Sequence, residues 1–219
     1  MSFVTGRYDQ PPATALWDGC KCPKLIVVEG MDEVSVLGVL LKRLIPHAEE
    51  MFQLYSADGK RRIAPFLDVL PQSPGFEALR CLAVVRDADD EPDGAFTSVR
   101  DALGRASLSA PEVPGQIAEG DPAVGVFIAP GAGQPGALED MCLQAFAQAA
   151  DPALPCVGAY LACISAAGIA IDRRSKALAM TFLASRPKQP ARFGHIADRD
   201  DWPWDSPVWE PLKEFLLKL

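Results

Sequence analysis

Four short apolar runs, each followed by a stretch with helical periodicity, constrain this chain more than any other feature. Residues 24–29 (KLIVVE), 52–55 (FQLY), 81–86 (CLAVVR) and 124–129 (VGVFIA) are four to six residues long and rich in apolar and β-branched side chains. That pattern reads as strands buried on both faces. Between them, Val34, Leu37, Leu40, Leu41 and Leu44 recur at helical spacing within 32–44, and Phe96, Val99, Ala102 and Leu103 do so within 94–106. Further helices are predicted over 60–70 and 137–149, with turns at 56–59, 71–75 and the Gly-rich 130–136. Strand alternating with helix predicts an α/β fold over 24–150, a mostly parallel four-stranded sheet with helices on both faces. Residues 1–23 read as a lead-in and 107–122 as a polar, Pro-rich connector. Residues 151–219 read as a helical C-terminal extension packed on the same domain, with helices over 156–167, 173–185 and 207–219 and a loop region bearing Trp202, Trp204 and Trp209.

Composition narrows the chemistry. The 219 residues carry 21 Lys plus Arg against 29 Asp plus Glu, a net charge of −8, and 49% are hydrophobic. Disorder, collagen-like repetition and a polybasic nucleic-acid glove are excluded. Any polyanion must be met by a local basic patch or through bound cations. With two His, His47 and His195, chemistry built on a histidine cluster is not expected. No cationic start feeds an apolar segment near the N-terminus, so no secretory signal is predicted. The 19 uncharged residues 153–171 approach the length of a membrane span. Their Ala, Gly, Ser and Cys content, with Pro155 among them, predicts a buried helix and no membrane association. The six Cys lie mostly in apolar runs and read as free thiols in a reducing cytoplasm. Cys20 and Cys22 form half of a zinc motif with no second close pair.

The acids fall where chemistry is expected. Glu29 ends the first strand, Asp87 and Asp89 follow the third, and Glu139 with Asp140 opens the helix after the fourth, all on one predicted edge of the sheet. Ligands gather outside the carboxyl ends of such strands. Residues two apart in an extended segment point the same way, so Asp87 and Asp89 are expected roughly 7 Å apart, facing one space. Clustered carboxylates repel until a proton or a cation intervenes. An all-oxygen donor set suits Mg²⁺ or Mn²⁺, and two such ions could activate water and stabilise the leaving oxygen of a phosphodiester. The alternative, that these are helix-capping or solvated loop acids, stays open.

The segments Val28-Glu29-Gly30-Met31-Asp32-Glu33 and Val84-Val85-Arg86-Asp87-Ala88-Asp89-Asp90 resemble the Toprim domain of primases, topoisomerases, small ribonucleases and OLD-type nucleases. That domain pairs a Glu-Gly after its first strand with an Asp-x-Asp after its third. Over 24–150 the chain looks most similar to the small DUF3226-type Toprim-related family, which also carries a Gly-x-Leu-Glu segment, here Gly136-Ala137-Leu138-Glu139. The resemblance implies that Glu29 is a metal ligand or general acid/base and that Asp87 and Asp89 are metal ligands. It also implies Glu33 and Glu139 as further ligands, although Asp32 stands beside Glu33 and either one may be the residue that faces the metal. OLD-type nucleases place a Lys in their C-terminal part, which makes Lys176 the candidate transition-state stabiliser, with Arg173 and Arg174 beside it.

For phosphate, Lys60, Arg61 and Arg62 follow the second strand on the same edge. Arg86 precedes Asp87 and by alternation points away from it, so a structural role is expected. The loop 129–136 lacks the Gly-Lys-Ser/Thr of a phosphate-binding loop and reads as a rim to the acids. Ser35 and Ser165 lack the context of a serine hydrolase. The expected function is metal-dependent cleavage or transfer of phosphodiesters in nucleic acid, with a separate ATPase as a possible partner. A catalytically silent binding module and a phosphohydrolase of small phosphate esters are the alternatives.

Overall fold

The computed structural model describes residues 4–7, 17–172, 174–188, 190, 192–199 and 202–219. Among them the strands are β1 (Val4–Arg7), β2 (Lys24–Val28), β3 (Phe52–Ser56), β4 (Cys81–Asp87), β5 (Ile117–Ala118) and β6 (Ala123–Ala129). The helices are α1 (Met31–Leu44), α2 (Ala48–Met51), α3 (Lys60–Val69), α4 (Pro92–Arg105), α5 (Leu138–Gln148), α6 (Ala153–Ala166), α7 (Arg174–Ala184) and α8 (Glu210–Lys218). One sheet runs in the order β1-β3-β2-β4-β6-β5, with every pair parallel except β5 on β6. From β2 the chain steps to β3 on one side, then returns past β2 to β4 on the other. The strand order therefore reverses between β2 and β4, the place where sheets of this kind bind ligands at the carboxyl ends of their strands.

Alternation along each strand supplies two apolar faces. Ile26, Val28, Ala83, Val85, Phe127 and Ala129 meet α1, α5 and the C-terminal elements. Leu25, Val27, Leu82, Val84, Val124, Val126 and Ile128 meet α3 and α4 through Ile63, Phe66, Leu67, Phe96, Val99 and Leu103. The extension 151–219 completes the first face with Phe182, Phe193, Trp202, Trp204, Trp209 and Phe215. Gly125 of β6 makes room for it, since a Cβ there would lie 2.9 Å from the Phe215 ring and 2.5 Å from Ile117 Cδ1.

Two expectations are corrected. The sheet has six strands, not four. β1 is a short segment within the lead-in that pairs in parallel along the free edge of β3, and β5 is two residues inside the connector. Neither is long enough to display a period. The uncharged stretch does form α6, but only Val157 and Leu161 of that helix are buried and Tyr160 is 55% exposed. Small side chains give this helix little apolar area with which to bury itself. Among the described residues no helix is long and apolar enough to cross a membrane. All six Cys are free, and Cys20 and Cys22 gain no further metal-ligating partners among the described residues.

Trp209 is fully buried, and its Nε1 donates to Pro203 O at 3.0 Å. Trp209→Ala is expected to cost about 3–5 kcal/mol of unfolding free energy. Denaturant titration measures it, and a loss under about 1 kcal/mol would mean that the extension is not integral to the core.

Candidate functional site

The carboxyl ends of β2 and β4 are held together by parallel pairing, with Val28 opposite Val85. Glu29 follows the last residue of β2, in the bend before α1, and Asp87 is the last of β4. Alternation then sends their side chains to opposite faces. Glu29 continues the face of Leu25 and Val27, and Asp87 continues that of Ala83 and Val85.

On the Glu29 side, Arg86 Nε stands 3.5 Å from Glu29 Oε1, with both side chains largely covered. Arg86 Nη1 donates to Ala95 O of α4 at 3.0 Å, which fixes the guanidinium. Arg86 does point away from Asp87, but Glu29 lies on the face to which it points. Burial pushes Glu29 up to about 7, a shift that Arg86 opposes and Asp89 reinforces. Its Oε1 is buried without a hydrogen-bond partner.

Asp89 does not share a space with Asp87 as expected. The strand ends at Asp87, and Asp89 adopts a left-handed backbone (φ 52°) held by a two-way bridge to Gly136, with Asp89 N donating to Gly136 O at 2.9 Å and Gly136 N to Asp89 O at 2.7 Å. Period-two alternation lapses at that turn. The Asp89 carboxylate is half exposed and pairs with Lys60 of α3 at 2.5 Å. The 129–136 loop thus forms a rim fastened to Asp89. Gly59 N donates to Glu29 O at 2.7 Å, which brings the start of α3, bearing Lys60, Arg61 and Arg62, to the same edge. Arg62 pairs with Asp58 at 3.3 Å, and Arg61 is exposed.

On the other face, Asp87 Oδ1 accepts the Leu138 N–H at the start of α5, 3.0 Å away. The capping alternative is therefore realised for this residue, although capping is not its whole environment. Burial raises its pKa well above the usual carboxylate range, and Glu33, Glu29 and Glu139 push it further while the Leu138 amide pulls it back. Glu33, 8% exposed in the first turn of α1, is raised to about 7 by burial and by Glu139, Glu29 and Asp32. Glu139 is raised by burial and by Asp32, against the charge of Lys176. Glu29, Glu33, Asp87 and Glu139 thus form one electrostatic unit, while Asp89 stands at its rim beside Glu29. Lys176 on α7 is exposed yet bears on both Glu139 and Asp32, and Arg174 is exposed on the same helix. Arg173 lies outside the described residues.

Sequence reasoning missed the residues around Asp32. Burial raises its pKa, whereas Arg192, the Gly194 N–H, His195 and Lys176 favour its ionised form. Asp32 Oδ1 is buried and has no hydrogen-bond partner. The 192–195 segment is about 160 residues away in sequence and carries no motif, so only tertiary packing reveals it. As the side chains stand, no group of three or more His, Cys, Asp or Glu among the described residues is arranged to hold a metal ion.

A family model described as a protein of unknown function, DUF3226, matches residues 23–219. No curated protein and no solved structure matches the chain.

Glu29 and Glu33 ordinarily titrate at 4.5 and are pushed up to about 7 in the folded chain. Between those values the folded state holds more protons than the unfolded one. Stability is therefore full below the ordinary value and is lost as pH rises through the folded one. Metal-free protein is expected to melt roughly 5 °C lower near pH 8 than near pH 6, and Glu29→Gln to flatten that slope. Equal melting temperatures at the two pH values would mean that these carboxyls ionise freely.

Proposed function

The chain belongs to the DUF3226 family, and from the edge it builds we propose that it is a Toprim-like, divalent-metal-dependent nuclease or phosphodiester transferase acting on nucleic acid. The observation that carries this reading is the gathering of Glu29, Glu33, Asp87 and Glu139 at the strand-order reversal, with burial and mutual repulsion holding back their ionisation. Such strain is a cost to the fold that a cation relieves.

The donor set fits a hard divalent ion. It is all carboxylate oxygen, and the buried Oε1 of Glu29 lacks a hydrogen-bond partner. Zinc would prefer thiolates and imidazoles, and the Cys142 thiol near Glu139, Asp32 and Glu33 is kept protonated by burial and by those charges. Glu29, Glu33, Asp87 and Glu139 are the residues that would hold Mg²⁺ or Mn²⁺, with Asp89 at the rim. A bound ion of this kind supplies positive charge to a phosphoryl oxygen and lowers the pKa of a water molecule.

The remaining work falls to the chain's own residues. Glu29, at about 7, can hold or release a proton near neutrality at a carboxyl oxygen, as a general acid or base requires. Arg86 keeps that carboxyl oriented from one side. Lys60 and the exposed Arg61 place positive charge at the N-terminus of α3, where the helix dipole already favours an anion. Lys176 places positive charge at the opposite end of the acid group.

Calorimetric titration with Mn²⁺ tests the assignment, together with cleavage assays on single-stranded and duplex DNA and RNA. Glu29→Gln and Asp87→Asn are each expected to weaken Mn²⁺ binding at least tenfold and to abolish cleavage. Unchanged metal affinity in both variants would sink this reading. Nucleic-acid binding without turnover would identify a silent module instead, and turnover confined to small phosphate esters a phosphohydrolase.

A further inference from the structure

The segment around Gly194 is seated on α1 more tightly than any side chain would allow. A Cβ at Gly194 would lie 2.1 Å from Ser35 Cβ and 2.8 Å from Ser35 Oγ. Ser35 Oγ is itself committed to Met31 O at 2.8 Å, so it has no reason to move aside. Flanking this contact, Phe193 and Ile196 are buried, and the Phe193 ring lies 6.2 Å from that of Phe182 and 6.0 Å from that of Trp202. The Gly194 N–H favours the ionised form of the Asp32 carboxylate. Two exposed residues, Arg192 and His195, are thereby carried on a rigid anchor at the edge of the acid group.

The cations on this side differ from those on the other. Lys60 is paired with Asp89, and Arg86 with Glu29. Among the described residues the side chains of Arg192 and Lys176 make no ion pair or hydrogen bond, although both charges bear on Asp32. Asp32 Oδ1 is buried with no hydrogen-bond partner. Arg192 and Lys176 thus bring to the acid group positive charge that has no partner among the described residues.

We propose that the segment 192–195 is the phosphate-holding wall of this site: Arg192, with Lys176 of α7 beside it, receives the phosphate backbone of a nucleic acid, and Gly194 is the positioning residue that fixes the wall against α1. The proposal rests on the nuclease reading above and adds the residues that recognise its polyanionic substrate. Opposed charges on the two sides of a phosphate are the arrangement an acidic protein needs. Carboxyls gather a cation beneath the phosphate, and fixed guanidinium and ammonium groups meet its outer oxygens. Arg suits the outer position because its planar fork matches two phosphate oxygens at once.

Fluorescence anisotropy with a labelled single-stranded DNA, in Mn²⁺ and over a series of salt concentrations, tests this together with calorimetric Mn²⁺ titration. Arg192→Ala and Lys176→Ala are each expected to weaken DNA binding about tenfold and to lower the salt slope by about one. Arg192→Ala should leave Mn²⁺ affinity within about twofold of the parent chain. Gly194→Ala should weaken DNA binding comparably by lifting the segment from α1. Ser35→Gly added to it removes the facing Cβ and should restore binding, a rescue that a general folding defect would not give. Unaltered DNA affinity and salt slope in Arg192→Ala, with Mn²⁺ still bound, would overturn the wall and leave the metal site standing. Failure of Ser35→Gly to rescue would overturn the positioning role of Gly194. A parent chain that takes up neither Mn²⁺ nor DNA would overturn both proposals.

Discussion

A parallel sheet covered on both faces has no interior place for charge, and the rest of this molecule follows from that constraint. Strands β2, β4 and β6 are apolar along both faces and reach acidic residues only where they or the loops after them emerge from cover. Because the strands are parallel, those emergences coincide at one edge. The reversal of strand order between β2 and β4 sends the crossover connections to opposite sides of that place. Burial raises the pKa values of Glu29, Glu33, Asp87 and Glu139 together.

The edge is divided by the sheet itself. Glu29, Arg86, Asp89 and Lys60 belong to one side, where each acid has a cationic neighbour. Asp87, Glu33 and Glu139 belong to the other, where compensation comes from the Leu138 amide and the more distant Lys176. Glu29 is the acid that senses both, since its charge weighs on Asp87 and on Glu33. This division explains how one short stretch of chain can send neighbouring side chains to different partners, Arg86 to Glu29 and Asp87 to the Leu138 amide. Side-chain alternation sets the field at each group as surely as it sets which face is apolar.

Much of this was legible beforehand. Runs such as 24–29 and 81–86 declare strands because burial on both faces leaves no polar position, and the helices between them declare themselves by period. The acids at the strand ends followed from that register, and so did the opposite orientations of Arg86 and Asp87. Three features were not legible, for distinct reasons. β1 and β5 are pairing events decided by a neighbour's free edge, not by their own composition. Asp89 leaves the strand by a left-handed turn stabilised by Gly136, almost fifty residues later, so local alternation misplaced it. Arg192 and Gly194 reach Asp32 only through the packing of Phe193 and Ile196 into the first-face core. No local pattern encodes that encounter. The match to DUF3226 extends to residue 219, so the family is defined over the extension as well as the sheet.

The contact between Gly194 and Ser35 also has a temporal side. The acid edge already draws its side chains from Glu29 to Glu139, and closing loops of that length delays assembly. The wall opposite must wait for a segment about 160 residues downstream of α1 to dock. It is held there by a backbone approach and by the burial of Phe193, Ile196 and Ala197 rather than by a strand ladder. The site is therefore complete only once the longest of its loop closures has been made.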